Sequence, residues 1–417
     1  MKKIIINGGK RLSGKIKIDG SKNAALALIP ASLLTKDVVT LENVPDISDI
    51  HEMLDILNIL NVSYEFIDNK LTIDSSRIIN TPLIKKNIEK IRASYYFMGA
   101  LLSLFQNVQI IAPGGCKIGN RPINYHLNGF RKMGINVNEM DNVFNMSYVI
   151  LNNTTIKLPF PSVGATINLV LAAVKSDNII IIDNISCEPE VNQVIDFLKS
   201  CGARIKKIGH NTLIIIGTAK LKGTTFKVMN DRIEAGTYCI LAALLGDNLL
   251  IEGVNKDHLN SLFTILDKVN ADYFIKDNIA YFNKSNLNNP FEIETSPFPL
   301  FPTDLQQPIC VLGSFLPGQS IIYENIYEDR IAHIKELNKM GADIKIFQNK
   351  IIINGGTPLF SNKLKAKDLR GGAALIIAAL SAKGTSLIEG VNYIERGYPN
   401  IIQKLSNVGA DIKMEDS

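Results

Sequence analysis

Short apolar strand-like runs recur along the chain at nearly constant spacing. The six runs end at Glu42, Ala112, Asp183, Glu252, Glu324 and Glu389, at intervals of 65 to 72 residues. Each run follows a segment rich in alanine, leucine and glycine that is apolar on nearly every face, which predicts a buried helix. These helices are expected at 22–34, 92–105, 163–174, 233–245, 305–315 and 371–382.

Each run is also followed by an amphipathic segment that stops at a glycine or asparagine. The stops are Asn61, Gly134, Gly202, Asn270, Gly341 and Gly409. Both residue types tolerate the left-handed conformation that ends many helices. A unit of helix, strand, helix and one or two further strands is therefore repeated six times, which predicts an α/β protein with three units in each of two domains. The alternative is a set of unrelated βα segments that happen to align.

The composition is that of a soluble globular protein. The 417 residues are 46% hydrophobic and 20% charged, which suits two or three domains. A net charge of +5 is too small to indicate nucleic acid. No apolar run reaches the roughly 18 residues of a membrane span. The opening Met-Lys-Lys-Ile-Ile-Ile is typical of a strand rather than a signal peptide, so a cytoplasmic location is expected.

The five cysteines and five histidines exclude some kinds of site. The cysteines form no Cys-x-x-Cys pair, and their odd number argues against a disulfide framework. The histidines do not fall at the spacings of zinc ligands. We therefore expect no metal and no cofactor.

One cysteine lies in a glycine-rich, cationic segment, Pro-Gly-Gly-Cys-Lys-Ile-Gly-Asn-Arg-Pro at 113–122. Lys117 and Arg121 flank Cys116, and nearby cations favour a thiolate that can act as an acid or nucleophile near neutral pH. In the unit that contains this segment, the connection from the strand-like run to the helix stop is longer than in the other five units, and the additional residues lie in this segment. An insertion of this kind suggests a functional lid. The alternative is a surface loop with an incidental cysteine.

Charged residues recur where the buried helices begin and where the apolar runs end. The cations at these positions are Lys22, Arg92, Arg121, Arg232, Arg330, Arg370 and Arg396. A helix N-terminus carries partial positive charge, so added cations there favour a multiply charged anion. Asp304 at such a position predicts a helix cap or a base. Structural salt bridges are the alternative for each arginine.

Seven motifs, in this order and spacing, resemble those of the UDP-N-acetylglucosamine 1-carboxyvinyltransferase family of the EPSP synthase superfamily. They read Ser21-Lys22-Asn23-Ala24-Ala25-Leu26, Arg92-Ala93-Ser94, Pro113-Gly114-Gly115-Cys116 with Ile118-Gly119-x-Arg121-Pro122, Ser162-Val163-Gly164-Ala165-Thr166, Asp231-Arg232-Ile233-Glu234-Ala235-Gly236-Thr237, Pro302-Thr303-Asp304 and Asp368-Leu369-Arg370. The resemblance covers all six units. It implies a two-domain inside-out α/β barrel, with 21–229 as one domain and 1–20 plus 230–417 as the other.

The resemblance also implies the reaction. The family transfers the enolpyruvyl group of phosphoenolpyruvate to the 3′-hydroxyl of UDP-N-acetylglucosamine and releases phosphate, the first committed step of peptidoglycan synthesis. By resemblance Cys116 donates the proton and can form a covalent adduct, Asp304 is the base, and Lys22 and Arg396 assist. The implied partners are these two small molecules, with no nucleic acid and no membrane.

The resemblance further implies which residues bind each substrate. The phosphoenolpyruvate residues are Lys22, Asn23, Arg121, Arg370 and Arg396. The UDP-N-acetylglucosamine residues are Arg92, Arg121, Pro122, Ile123, Asn124, Tyr125, Ser162, Val163, Gly164, Asp304 and Ile326. Two positions depart from the family pattern: Asn124 replaces the usual acidic residue, and Asp329 replaces a common asparagine and could draw Arg330 away from substrate.

Three other functions fit the sequence less well. The sister enzyme that uses shikimate 3-phosphate shares the architecture but lacks the Gly-Gly-Cys motif. A binding protein without turnover would not need the combination of Lys22, Cys116, Asp304 and Arg396. A cysteine hydrolase lacks a placed His-Asp pair, and His126, interpreted as a lone loop histidine, is more typical of a structural or substrate-side role.

Overall fold

The computed structural model describes residues 2–85, 88, 92–114 and 122–416. Contacts between these residues divide the chain into two compact units. The middle unit is drawn from residues 20–229, and the terminal unit from residues 2–19 and 230–416. No helix in the described ranges is both long and apolar enough to cross a membrane.

Three apolar helices form the interior of the middle unit. They are α1 (Lys22–Ser32), α3 (Tyr96–Leu104) and α5 (Val163–Ala173), and short 3-10 turns at Leu33–Thr35 and Arg92–Tyr95 adjoin the first two. Three amphipathic helices lie around them: α2 (Ser48–Ile59), α4 (Asn124–Lys132) and α6 (Pro189–Ser200). Every residue of α5 after Val163 is buried. The buried helices predicted from the all-round apolar pattern are therefore confirmed.

The terminal unit repeats this arrangement. Its inner helices are α7 (Arg232–Leu245), α9 (Gln306–Phe315) and α11 (Leu369–Ser381). Its outer helices are α8 (Asn260–Lys268), α10 (Ala332–Lys339) and α13 (Ile401–Asn407), with the short α12 (Val391–Ile394) before the last. Two 3-10 turns, Lys256–His258 and Thr303–Leu305, precede α8 and α9.

The strands of the described residues form six small sheets, three in each unit. The middle unit contains β3 (Val38–Glu42), β4 (Ser63–Ile67), β5 (Lys70–Asp74), β6 (Asn107–Ile111), β7 (Asn136–Met140), β8 (Val143–Ser147), β9 (Thr154–Lys157), β10 (Ile179–Asp183), β11 (Arg204–Ile208), β12 (Thr212–Ile216) and β13 (Thr225–Lys227). The terminal unit contains β1 (Lys2–Gly8), β2 (Leu12–Lys17), β14 (Gly246–Glu252), β15 (Tyr273–Lys276), β16 (Ile279–Phe282), β17 (Glu292–Glu294), β18 (Gly318–Tyr323), β19 (Asp343–Phe347), β20 (Lys350–Gly355), β21 (Lys363–Lys365), β22 (Gly384–Glu389) and β23 (Asp411–Asp416).

One topology recurs in these sheets. The strand after an inner helix pairs in parallel with a short edge strand and antiparallel with a hairpin, as in the order β11-β12-β10-β9. The order β21-β22-β1-β23 places the N-terminal strand β1 where the other sheets have the second hairpin strand. The terminal unit therefore needs both ends of the chain to complete its last sheet.

The six predicted helix stops all adopt the left-handed conformation. The φ angles are 57° at Asn61, 93° at Gly134, 101° at Gly202, 61° at Asn270, 94° at Gly341 and 94° at Gly409. Glycine and asparagine are the residues that reach this region at least cost. The predicted end of each outer helix is confirmed for this physical reason.

Candidate active site

The predicted site residues fall into two groups, one in each unit. The middle unit contains Lys22, Asn23, Arg92, Pro122, Ile123, Asn124, Tyr125, Ser162, Val163 and Gly164. The terminal unit contains Asp304, Ile326, Arg370 and Arg396. Cys116 and Arg121 lie outside the described residues.

Lys22 is the first residue of α1 and takes part in a buried ion pair. Ser21 caps the helix, because its Oγ accepts a hydrogen bond from the Ala24 amide at 3.3 Å. The Lys22 Nζ lies 2.6 Å from a carboxylate oxygen of Asp49, in the first turn of α2. Asn23 follows with an exposed side chain. This helix start therefore combines a fixed cation with the partial positive charge that favours an anion.

A stack of side chains connects Arg92 with the start of α5. The Arg92 guanidinium carbon lies 5.8 Å from the centroid of the Tyr95 ring, and that ring meets His126 edge-on with 5.0 Å between centroids. A Cβ on Gly164 would lie 2.7 Å from the Tyr95 hydroxyl and 3.0 Å from the His126 ring. Glycine is therefore required at 164, and Arg92 is brought together with the Ser162–Val163–Gly164 segment.

Helix α5 begins at Val163, where the sequence predicts it. Ser162 caps it, with its Oγ accepting from the Ala165 amide at 3.3 Å. A glycine-containing helix start of this kind suits a phosphate, because its first amides point outward along the helix dipole. In the predicted segment before and within α4, Pro122 and Asn124 are exposed, Ile123 is buried and Tyr125 is half-buried.

His126 is not a loop residue, and that interpretation was wrong. It lies in α4 and is 4% exposed. Asn168 of α5 accepts the Gly99 amide on its Oδ1 at 2.8 Å, so its Nδ2 donates to the His126 Nδ1 at 2.9 Å. The His126 proton is therefore on Nε2. Burial, assisted by the Arg92 charge, lowers the pKa of His126 to about 3.

The neutral His126 should make the protein sensitive to mild acid. The unfolded histidine gains a proton below its ordinary pKa of 6.5, whereas the folded one does not until about pH 3, so the free energy of unfolding falls as pH falls through this window. Between pH 7 and pH 5 the loss is about 2 kcal/mol. His126→Asn, whose amide can replace the Nδ1 contact, should lack this component in chemical denaturation at the two pH values.

The control for this experiment is His210→Asn, which changes an exposed histidine. Between pH 7 and pH 5, the free energy of unfolding of this variant should fall by as much as that of the parent. His333 is also buried, and burial lowers its pKa to about 4, but it contributes equally to all three proteins. An equal pH dependence in the parent and in His126→Asn would contradict the assignment of a neutral, buried His126.

Asp304 is held between two arginines in the terminal unit. One carboxylate oxygen lies 2.8 Å from the Arg330 Nη1, and the other lies 3.1 Å from the Arg370 Nη2 and 3.3 Å from the Arg370 Nε. Arg330 was suspected of being drawn away by its neighbour Asp329, but its ion pair is with Asp304. Asp304 does not cap a helix either, because it lies in the 3-10 turn Thr303–Leu305 and α9 begins at Gln306.

The two guanidinium groups control the ionisation of Asp304. Burial by itself raises the pKa of this carboxyl, but the charges and hydrogen bonds of Arg330 and Arg370 outweigh it, and the net pKa lies well below the usual range. The carboxylate is thus ionised throughout the physiological range and is a weak base while both arginines hold it. Burial without these two arginines would have raised the pKa of Asp304.

Glu324 links this cluster to the loop that contains Ile326. Its Oε1 accepts the amides of Ile326 and Tyr327 at 2.9 and 3.0 Å, and its Oε2 accepts the Thr303 hydroxyl at 2.9 Å. The Thr303 Oγ1 in turn accepts from the Arg330 Nη1 at 2.9 Å. One carboxylate therefore fixes Ile326 and the residue before Asp304 on the same support.

Arg370 is positioned by the start of α11. Asp368 caps this helix by accepting the Gly371 amide at 2.8 Å, and the Arg370 guanidinium carbon lies 5.3 Å from the centroid of the Tyr398 ring. The Tyr398 hydroxyl shares a 2.9 Å hydrogen bond with Thr237 of α7. Arg396 lies two residues beyond α12 and is half-buried.

Several residues that shape the two groups were not predicted as site residues. They are Asp49, Tyr95, Thr303, Glu324 and Tyr398. Asp49 had a usable signal, because it is an acidic residue in the first turn of an amphipathic helix on its buried side. Tyr398 had none, because nothing in its local sequence indicates that it lies under Arg370.

Comparison with known proteins defines the class of this fold. NikO, an enolpyruvyl transferase from Streptomyces tendae, superposes with a TM-score of 0.91 over 100% of this chain and 99% of its own, at 22% identity. EPSP synthase from Acinetobacter baumannii gives 0.76 over 100% of both chains at 17% identity. The predicted α/β class and two-domain fold are confirmed: the fold is that of the enolpyruvyl transferases.

Sequence comparison defines the family. The model of the family described as EPSP synthase (3-phosphoshikimate 1-carboxyvinyltransferase) matches residues 6–405, and the chain belongs to this family of carboxyvinyl-transferring enzymes. A Listeria innocua protein named UDP-N-acetylglucosamine 1-carboxyvinyltransferase 2 is 41% identical over 98% of this chain and 97% of its own. A Streptococcus pneumoniae protein named UDP-N-acetylglucosamine 1-carboxyvinyltransferase is 42% identical over 99% of both. The resemblance stated from the seven motifs is confirmed.

Proposed function

We propose that this enzyme transfers the enolpyruvyl group of phosphoenolpyruvate to the 3′-hydroxyl of UDP-N-acetylglucosamine and releases phosphate. The observation that carries the proposal is the identity of 41 and 42% over nearly the full length of proteins named for that acceptor. This transfer would be the first committed step of peptidoglycan synthesis. This role makes the protein a cytoplasmic enzyme of cell-wall synthesis, cell shape and division.

The chemistry requires a proton donated to the methylene carbon and two protons removed, one from the sugar hydroxyl and one from the methyl group, and the departing phosphate takes up one of these as hydrogen phosphate. Protonation of the methylene carbon of phosphoenolpyruvate makes its central carbon electrophilic, and the sugar oxygen attacks this carbon as its hydroxyl proton leaves. The resulting tetrahedral intermediate carries a methyl group, the carboxylate, the phosphate and the sugar ether. Loss of phosphate and of one methyl proton then gives the enolpyruvyl ether. Cations are needed throughout, because the substrate brings a carboxylate and a phosphate.

We assign Cys116 as the proton donor to the methylene carbon and as the site of a covalent phosphoenolpyruvate adduct. Lys117 and Arg121 flank it in sequence, which supports an acidic thiol. Lys22, Arg121 and Arg396 bind phosphoenolpyruvate and stabilise the intermediate, with Asn23 and Arg370 beside them. The fixed ammonium group of Lys22 and the buried guanidinium group of Arg370 support these roles, since both cations are pre-positioned.

We assign the nucleotide sugar to a second set of residues. They are Arg92, Arg121, Pro122, Ile123, Asn124, Tyr125, Ser162, Val163, Gly164, Asp304 and Ile326. The start of α5 is the support for the diphosphate, because Ser162 caps it and Gly164 keeps Tyr95 and His126 close. Asp304 is the base for the 3′-hydroxyl. We also propose that residues 21–229 and residues 1–20 plus 230–417 are the family's two domains.

The acceptor decides between this function and that of the sister enzyme. Phosphate release should be measured with phosphoenolpyruvate and either UDP-N-acetylglucosamine, shikimate 3-phosphate or no acceptor. We expect release only with the nucleotide sugar. Release with shikimate 3-phosphate alone would move the assignment to the activity in the family's description, and binding without release from either acceptor would leave a binding protein.

A further inference from the structure

The paired arginines conflict with the use of Asp304 as a base. A carboxylate that accepts hydrogen bonds from two guanidinium groups at 2.8 to 3.3 Å is stabilised in its charged form and accepts a proton poorly. If Asp304 deprotonates a sugar hydroxyl, as the proposed function requires, at least one of these contacts must be released first. Some event in the reaction must therefore separate Asp304 from Arg330 and Arg370.

Both arginines have supports that do not depend on Asp304. Arg330 donates to the Thr303 hydroxyl at 2.9 Å and stacks on Tyr327, with 5.1 Å from its guanidinium carbon to the ring centroid. Arg370 stacks on Tyr398. The side chains of Arg330 and Arg370 are 7% and 3% exposed, whereas that of Asp304 is 24% exposed. Asp304, on a short 3-10 turn, is thus the most exposed member of the cluster and the one that can be displaced without disturbing the supports of the arginines.

Arg330 has a spare donor. Within the described part of the chain, the Arg330 Nε is buried and has no hydrogen-bond partner. A buried guanidinium N–H without a hydrogen bond costs free energy. Its presence indicates a position where a further hydrogen-bond acceptor, such as an anion, can bind. One carboxylate shared by two guanidinium groups leaves donors for an anion with several oxygens, such as a phosphate or a carboxylate.

We propose that Asp304 occupies the arginines in place of the anionic co-substrate, and that binding of this anion to Arg330 and Arg370 releases Asp304 to act as the base. The inference rests on the proposed function for the identity of the anion, which is phosphoenolpyruvate. It also orders the reaction: the base becomes competent only when the anion is present. The sugar hydroxyl is thereby protected from deprotonation before its electrophile has bound.

The test is the effect of removing the Asp304 charge on anion affinity. Asp304→Asn keeps the size of the side chain but no longer competes for the arginines, so anions should bind more tightly while turnover is lost. The probes are inorganic phosphate and phospholactate, which has the carboxylate and phosphate of phosphoenolpyruvate but no double bond to react. We expect dissociation constants at least about fivefold lower than in the parent by calorimetry, which corresponds to roughly 1 kcal/mol.

The matched control is Asp329→Asn, the same change at the exposed residue next to Arg330, which should leave both dissociation constants unchanged. If Asp304→Asn does not fold, Asp304→Ser removes the same charge, and the rise in melting temperature caused by phosphate should exceed that of the parent. Unchanged or weaker anion binding in the Asp304 variant would overturn the proposal, because the anion would then use donors for which Asp304 does not compete.

The failure of this exchange and the failure of the proposed function can be told apart, because two different measurements test them. Parent turnover with UDP-N-acetylglucosamine tests the reaction, and anion affinity tests the exchange at the arginines. If anions bind more tightly to Asp304→Asn but the parent shows no turnover, the exchange of Asp304 for the anion is supported and the proposed transfer reaction is refuted. Turnover by the parent with weaker binding in the variant would do the reverse.

Discussion

Cys116→Ala should lower phosphate release by roughly 10²- to 10⁴-fold, the contribution expected of a general acid. The alanine variant has no proton to give to the methylene carbon, whereas Cys116→Asp restores an acid and should keep phosphate release. Fosfomycin, an epoxide, needs a thiolate to open its ring. It should therefore inactivate the parent covalently and leave Cys116→Asp unaffected.

Steady-state phosphate release and intact mass after fosfomycin exposure measure both effects. Cys187→Ala is the matched control, because Cys187 is a free, half-buried cysteine that should contribute to neither. The parent and Cys187→Ala should each gain the mass of one inhibitor molecule. Full activity of the parent after long exposure, or full phosphate release by Cys116→Ala, would contradict the role of Cys116.

Lys22→Met should affect stability and activity together. It leaves Asp49, 3% exposed, without its cation at 2.6 Å, and breaking a buried ion pair from one side costs about 3–5 kcal/mol. It also removes a proposed phosphoenolpyruvate contact, so phosphate release should be lost. Chemical denaturation and the phosphate assay measure the two effects separately.

The double variant Lys22→Met with Asp49→Asn separates structure from function. It removes the buried carboxylate charge as well as the ammonium charge and should recover most of the lost stability, but no phosphate release. Lys10→Met is the control, because it breaks an exposed ion pair with Asp411 and should cost at most about 1 kcal/mol. Recovery of phosphate release in the double variant would mean that Lys22 acts only through the stability of α1.

The regular part of the fold could be predicted because it depends on local signals. Buried helices such as α5 are apolar on every face, and stops such as Gly202 need a conformation that few residues tolerate. These signals repeat six times, so an error at one position is corrected by the others. The parallel pairing of β2 with β14 had no such signal, because the two strands are more than 200 residues apart in the chain.

The candidate site was predictable only in part. Lys22 and Arg370 could be identified as candidate site residues because each lies in the first turn of an otherwise apolar helix, where a charged residue is unusual. Their partners depend on packing between elements that are distant in sequence. The ion pairs of Asp304 with Arg330 and Arg370 therefore could not be derived, and the neighbour Asp329 was a misleading signal for Arg330.

The central claim is tested most directly by one reaction in D₂O. The parent protein is mixed with phosphoenolpyruvate and UDP-N-acetylglucosamine, and the products are followed by NMR and mass spectrometry. Because the methylene carbon gains a solvent proton and later loses one, we predict an enolpyruvyl ether at the 3′-oxygen with deuterium on its vinyl carbon, formed in equal amount with phosphate. An unchanged nucleotide sugar, or phosphate and pyruvate without an ether, would contradict the proposed transfer.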